Sequence, residues 1–216
     1  MEFGDAIHDY VKAIYKLESE SGRAATNSLA ERLGVAPASA TGMVKRLASL
    51  GLVEYEPYRG TTLTPRGTEL ALEVIRHHRL VERYLVDTLG LPLELVHAEA
   101  ERLEHALSED LEALIDESLG FPTHDPHGDP IPDANLRLTD PQLKALDELA
   151  PGESATVRRV PDSDAGVLRY LTELRLVPGE EIRIRQVAPF DGPVTVEVAG
   201  SSHAIARALA TQIGVD

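Results

Sequence analysis

The chain has 216 residues, with 21 Lys and Arg against 36 Asp and Glu, a formal net charge of −15 and no cysteine. That length supports two or three domains, and 43% hydrophobic with 26% charged residues is the composition of a folded globular protein, not of a disordered one. The missing thiols exclude a disulfide scaffold, a thiolate zinc finger, an iron–sulfur cluster and a cysteine nucleophile, and no apolar run approaches the roughly 18 residues needed to span a bilayer.

Asp5 and Asp9 fall where a signal peptide would need an apolar stretch, so a cytoplasmic address is expected. Over residues 5–20 the apolar side chains of Ile7, Tyr10, Val11, Ile14 and Leu17 recur at helical spacing, and Ser21-Gly22 ends that helix. A short helix is predicted over Asn27–Leu33, with Asn27 or Thr26 as its N-cap and Gly34 as its stop. Pro37 opens a third helix, where its missing N–H costs nothing, and Ala40, Met43, Val44 and Leu47 share one face as far as Gly51. Leu52–Tyr55 and Thr61–Thr64 read as two short strands joined by Glu56-Pro57-Tyr58-Arg59-Gly60, and a long helix runs from Pro65 to about Thr88. After Gly90-Leu91-Pro92, helices are predicted over Leu93–Leu107 and from a Ser108 cap onward. Residues 120–141 are rich in Pro, Gly, Asp and His and read as a loop or linker. Beyond them the pattern alternates, giving strands at 155–160, 181–187 and 193–198, a helix at 165–174 and a last helix at 202–213. The fold class is therefore mainly α with a small β module.

The net acidity argues at first against a nucleic-acid partner, but it is unevenly spread. Residues 1–70 hold 8 basic and 9 acidic side chains, residues 71–140 hold 5 and 16, and residues 141–216 hold 8 and 11. The first third is nearly neutral, and its order of helix, short helix, turn, helix and two strands is that of a winged helix-turn-helix. The second helix of such a pair must present small or hydrogen-bonding groups to the bases, which Ala36, Ala38, Ser39, Thr41 and Gly42 do. Lys45 and Arg46, one turn on, reach phosphates, and Tyr58 and Arg59 at the wing tip reach the backbone or minor groove. A helical hairpin packed on a protein core, with Lys45 and Arg46 as solvated charges, is the competing reading.

Four of the 8 histidines fall in the acidic third: His77, His78, His97 and His105. His78 with Glu82, His97 with Glu101, and Glu101 with Glu104 and His105 are spaced three or four residues apart, which places each set on one helix face. A solvated acidic face would produce one such set by chance; three within a short span point to metal. Imidazole with carboxylate and no thiolate favours Mn²⁺ or Fe²⁺, although Zn²⁺ and Co²⁺ would also bind.

The sequence resembles the diphtheria-toxin-repressor family of metal-dependent transcriptional regulators over nearly its whole length. The segments that carry the resemblance are HRLVERYL at 78–85, VHAEAERLEHALSEDLE at 96–112 and GDPIP at 128–132, and VEYEPYRGTTLTPRG at 53–67 resembles the manganese-responsive branch. The resemblance implies a homodimeric repressor of metal-uptake genes that binds a palindromic double-stranded operator. It implies a winged helix-turn-helix domain at 1–73, a helical metal-binding and dimerisation domain with linker at 74–140, and an SH3-like domain at 141–216. It places a primary metal site on Asp9, Glu101, Glu104 and His105 and a second on His78, Glu82 and His97, with Asp162 or Asp164 as possible additions. Hard carboxylates at Asp9 and Glu101, where iron-responsive relatives carry Met and Cys, tilt the expectation to Mn²⁺ over Fe²⁺. Manganese regulators of two domains have Glu where this chain has Lys12, so separated sites are expected here instead of a close binuclear one.

Two other classes compete: a di-metal carboxylate enzyme or hydrolase, and a winged-helix regulator sensing a small organic ligand. Against the enzyme, no HExxH, phosphate loop or nucleophile elbow occurs, and Glu101-x-x-Glu104-His105 is not the Glu-x-x-His of di-iron bundles. His124, His127 and His203 lie in loop or cap settings and are expected to be solvent-exposed and without a role.

Overall fold

The computed structural model describes residues 3–216. Two compact units are present. The first takes in the chain up to His78 together with Glu104–Leu107 and Pro132–Leu138. Its helices are α1 (Asp5–Ser21), α2 (Thr26–Arg32) and α3 (Pro37–Ser49), followed by strands β1 (Val53–Glu56) and β2 (Gly60–Leu63) and the start of α4 (Pro65–Asp87). Helix α1 forms because its apolar residues share one face; it ends where Gly22 turns left-handed and donates its N–H to the Glu18 carbonyl at 2.8 Å. Ile7, Val11, Ile14, Leu29, Ala40, Val44, Leu47 and Leu52 make one continuous core that locks α1, α2 and α3 together.

Pro37 is the first residue of α3, as its fixed φ favours. Helix α2 starts differently from expectation: Ala25 is its N-cap, with no side-chain cap bond, so Thr26 and Asn27 are inside the helix. The wing strands pair antiparallel from Val53 opposite Leu63 to Glu56 opposite Gly60, with Tyr58 at φ +66° in the turn. Gly67 is required by closeness alone, because a Cβ there would lie 2.0 Å from the Leu52 carbonyl oxygen. It lets α4 start against the base of the wing.

The second unit holds Arg79–Leu103, Ser108–Ile131 and Thr139–Asp216. It contains the end of α4, α5 (Leu93–Leu103), α6 (Glu109–Ser118), and strands β3 (Lys144–Ala145) and β4 (Ser154–Arg159). Helix α7 (Ala165–Glu173), β5 (Glu181–Val187), β6 (Val194–Val198), β7 (Ser201–Ile205), the short α8 (Arg207–Ala210) and β8 (Gly214–Val215) complete it. The six strands form one antiparallel array in the order β3-β8-β4-β5-β6-β7, the SH3-like module, around Leu146, Val157, Leu168, Leu171, Ile182, Ile184, Val196 and Ile205.

The structure corrects three further expectations of the chain's elements. Residues 202–213 are not one helix: Ala199 and Gly200, both at positive φ, make a two-residue hairpin that folds β7 back on β6, with Val198 opposite Ser201 and Val194 opposite Ile205. The alanine-rich spacing after that turn imitates a helix, and the pairing with β6 overrides it. Helix α5 stops at Leu103, and Glu104–Ala106 tighten into a 3₁₀ turn before Ser108 caps α6 by accepting from the Leu111 N–H. The stretch 120–141 is also no simple linker, since Asp125, His127 and Ile131 within it are buried. No helix among the described residues is long and apolar enough to cross a membrane.

Candidate metal centre

Helix α1 offers Asp9 on the flank of its buried face, and the 3₁₀ turn offers Glu104 and His105. His105 Nε2 lies 3.0 Å from Asp9 Oδ1 and 3.6 Å from Glu104 Oε1. One donor atom from each of these three residues lies within 4.8 Å of the others. Two more side chains converge on Glu104: Lys12 Nζ donates to Oε1 at 2.6 Å, and His78 Nδ1 meets Oε2 at 2.5 Å. Burial by itself would raise the Glu104 pKa, but the His78 hydrogen bond and the charges of His78 and Lys12 outweigh it and hold the carboxyl below its ordinary value. His8 packs its ring 5.6 Å from that of His105. His105 Nδ1 is buried and has no hydrogen-bond partner among the described residues.

The second unit builds another group. Glu82 from α4 and the loop residues Asp125 and His127 are all buried, and a donor atom of each lies within 4.8 Å of the other two. His127 Nδ1 is 3.6 Å from Glu82 Oε2, and its Nε2 is 3.4 Å from the Leu93 carbonyl oxygen. Asp125 accepts the N–H groups of His127 and Asp129, both at 2.9 Å, and this bends the loop into place. Burial, then the carboxylates of Glu82 and Asp129, push the Asp125 carboxyl up to about 7. For His127 burial acts downward, but Glu82, Asp125 and Asp162 overcome it and lift the imidazole to about 9. His97 Nδ1 meets Glu82 Oε1 at 3.0 Å and lies 4.0 Å from Asp162 Oδ2, while its Nε2 is 3.8 Å from Glu101 Oε1.

Of the expected primary set, the structure thus joins Asp9, Glu104 and His105, and sets Glu101 beside His97. Of the expected second set, it joins Glu82 with His97 and gives His78 a partner in Glu104. Asp164 is spent as the N-cap of α7, accepting from Gly166 and Val167, whereas Asp162 faces His97. His127 is a correction: it is fully buried against Glu82, not solvent-exposed. Asp125 and His127 are hidden in the sequence because the Pro- and Gly-rich composition around them reads as an exposed loop; their i, i+2 spacing inside the specific stretch ending in GDPIP is the available signal.

Both groups suit a divalent ion. Bonds of about 2.0–2.6 Å let one ion hold donors up to about 5 Å apart, and every donor is carboxylate oxygen or imidazole nitrogen, which selects no thiophilic metal.

In the first unit, Ala36, Ala38, Ser39, Gly42, Lys45 and Arg46 are exposed at the start of and along α3, whereas Ala40, Val44 and Leu47 are buried. Thr41 is half-buried and its hydroxyl donates back to the Pro37 carbonyl at 2.9 Å. Tyr58 stands fully exposed at the wing tip beside Arg59, whose guanidinium lies 3.3 Å from Glu56. This is a small, weakly charged helix face flanked by cations, the form a base-reading helix takes.

Comparison with known proteins gives the family. Residues 2–61 match the iron-dependent repressor N-terminal DNA-binding domain, residues 64–133 the iron-dependent repressor metal-binding and dimerisation domain, and residues 144–216 the FeoA domain. The iron-dependent repressor IdeR of Mycobacterium tuberculosis (strain ATCC 25618 / H37Rv) is 35% identical over 214 residues, covering 94% of this chain and 92% of that protein. The diphtheria toxin repressor of Corynebacterium efficiens is 40% identical over 162 residues, covering 72% of this chain and 70% of that one. A solved manganese-dependent transcriptional repressor in complex with manganese is 37% identical, with a TM-score of 0.88 and coverage of 97% and 98% of the two chains. These are transcriptional regulators and not enzymes. The chain belongs to the iron-dependent repressor family, the metal-dependent DNA-binding repressors that include IdeR and the diphtheria toxin repressor.

Proposed function

We propose that this chain is a manganese-responsive repressor, acting in the cytoplasm, that binds a palindromic operator as a homodimer and controls metal-uptake genes. The observation that carries the choice of metal is the donor chemistry: Asp9, Glu104 and His105 in one group and Glu82, His97, Asp125 and His127 in the other, with no sulfur ligand in either. Hard oxygen with imidazole suits Mn²⁺, and Fe²⁺ is the competing ion. The first group is the primary centre and the second an ancillary one, with Asp162 and Glu101 at its edge. Residues 1–73 bind DNA, 74–140 bind metal and dimerise, and 141–216 form the SH3-like module. Leu111 and Leu114 on α6 and Phe121 just after it are exposed, which suits a subunit interface.

When bound, a divalent ion supplies the positive charge that lets the Asp9 and Glu104 carboxylates share one small space. Asp9 then holds α1 to the 104–107 segment. Because α1, α2 and α3 share one core, fixing α1 fixes the recognition helix α3 and its Ala36–Arg46 face. Metal thus raises operator affinity by selecting one orientation of the DNA-binding helices, without touching DNA. Ala36, Ala38, Ser39, Thr41 and Gly42 read bases, while Lys45, Arg46, Tyr58 and Arg59 contact the backbone.

Operator binding followed by fluorescence anisotropy, with Mn²⁺, with Fe²⁺ under anaerobic conditions and with a chelator, tests the reading. Mn²⁺ should raise affinity at least about tenfold over chelator, a coupling of ordinary size for an effector, and Asp9→Ala should abolish that gain. Metal-dependent binding that survives in Asp9→Ala overturns the mechanism.

A further inference from the structure

Lys12 is the feature that the proposed metal centre leaves unused. It lies on the buried face of α1 at 8% exposure, and its ammonium donates at 2.6 Å to Glu104, itself 2% exposed. A lysine is rarely taken that far from water unless its charge is paired. Here its partner is the most buried carboxylate of the primary centre, and the bond is made with the same Oε1 that lies 3.6 Å from His105 Nε2. The cluster therefore carries its own cation.

We propose that Lys12 is a tethered counter-ion that sets the affinity of the primary centre and limits it to one divalent ion. The proposal rests on the reading of Asp9, Glu104 and His105 as that centre. The charges explain the effect. Asp9 and Glu104 together carry two negative charges, which one divalent ion would balance. With the ammonium in place the group carries a net charge of minus one, so a bound divalent ion leaves it at plus one, and a second ion would leave it at plus three. Like charges at a few ångströms in a poorly hydrated site repel strongly. Lys12 consequently weakens the first ion's hold and prevents a second. The same ion pair keeps the buried charge of Glu104 compensated when metal is scarce, at the cost of affinity for the ion. The centre then responds only when the free metal concentration is high enough to compete with a cation that cannot diffuse away.

The test uses the whole chain, with equilibrium dialysis against Mn²⁺, metal counted per chain, and thermal unfolding of the metal-free and loaded forms. Lys12→Met keeps the length of the side chain and removes its charge; Lys12→Gln is a neutral polar second variant, and Lys12→Arg keeps the charge. Both neutral variants should bind Mn²⁺ at the Asp9-dependent site at least about tenfold more tightly than the parent, as the loss of one nearby positive charge requires. They should also unfold at lower temperature without metal and gain more from Mn²⁺ than the parent does. Lys12→Arg should resemble the parent, and Lys12→Glu, purified in Mn²⁺, should take up one further ion per chain. Unchanged or weaker binding in the neutral variants overturns the proposal, as does an unchanged count in folded Lys12→Glu. Asp9→Ala separates the two levels. If it binds as many ions as the parent, the reading of the centre itself fails; if it loses one ion while Lys12→Met matches the parent, only the role of Lys12 fails.

Discussion

The two carboxylate–imidazole groups use the same chemistry in opposite settings. The first is open at Asp9, whose side chain is 39% exposed, and it carries a lysine as counter-ion. The second has Glu82, Asp125 and His127 all buried, and its positive charge comes from an imidazole lifted to about 9, with the Arg79 guanidinium 3.7 Å from Asp125. Burial decides what each can do. A partly open site exchanges its ligand cheaply and suits sensing, whereas three buried ionisable groups are part of the fold and resist being left unpaired.

Four experiments put that contrast at risk. The largest effect is expected for Gly128→Ala. Gly128 has φ +95°, and a Cβ there would lie 1.8 Å from the Arg158 carbonyl oxygen, so the loop holding Asp125 and His127 could not form as it is. Denaturant unfolding should show a loss of about 4 kcal/mol or more, the range of severe backbone clashes, while Asp9-dependent metal binding survives if the two groups are separate in function.

Next, His127→Ala in metal-free protein should cost about 3 kcal/mol, because it removes the imidazole that faces the buried carboxylates of Glu82 and Asp125. Asp9→Ala should cost less than about 1 kcal/mol, since the Asp9 carboxylate is partly open to water and a solvent-screened pair contributes little. Equal costs would erase the distinction between the groups.

The pH dependence comes third. The His127 pKa rises from 6.5 unfolded to about 9 folded, so its stabilisation is complete below 6.5 and is lost as pH climbs through 9. The Asp125 pKa rises from 3.8 to about 7, so the folded state also holds that proton more tightly, and stability falls between those two values. Both groups act in the same direction. Metal-free protein should lose stability from acid to alkaline pH, with the difference between wild type and His127→Ala shrinking above pH 6.5, as thermal scans would record. Metal uptake by the second group should rise over the same range, since ligands must lose their protons.

The smallest effect belongs to the surface outside both groups. Lys45→Ala or Arg46→Ala should leave metal binding intact and lower the salt slope of operator affinity by about 0.9 for each phosphate no longer neutralised. A change in metal count in either variant would tie α3 to the metal groups directly.

Legibility in the sequence follows how local the cause is. Helices α1, α3 and α4 and the wing are readable because amphipathic spacing, Pro37 and the turn at 56–60 act within a few residues. Strands β3 and β8 have two residues each and exist only by pairing with distant chain, Lys144 with Val215 and Val157 with Val215, so no local pattern announces them. Strand β7 is masked by alanine-rich helical spacing that the Ala199-Gly200 turn overrides. In the site, Asp9, Glu104 and His105 come from the family resemblance, and His-x₃-Glu spacing points only to a metal in general. Asp125 and His127 escape because burial of a Pro-rich loop is a tertiary event: the loop is held by Arg79 on the Pro130 carbonyl and by Val160, whose N–H donates to the His127 carbonyl at 2.9 Å.

The bond from Val160 to His127 restricts how such regulators can be recombined. Val160 and Arg159 close the 125–130 loop onto β4, with Arg159 3.4 Å from Asp129 and 2.5 Å from Asp140. The loop that carries Asp125 and His127 and the terminal barrel are thus two halves of one joint. A chimera cut at residue 140 that pairs this helical segment with a relative's barrel inherits only half of it. The barrel is therefore not an exchangeable cassette, and a working crossover needs residues 124–131 to travel with β4.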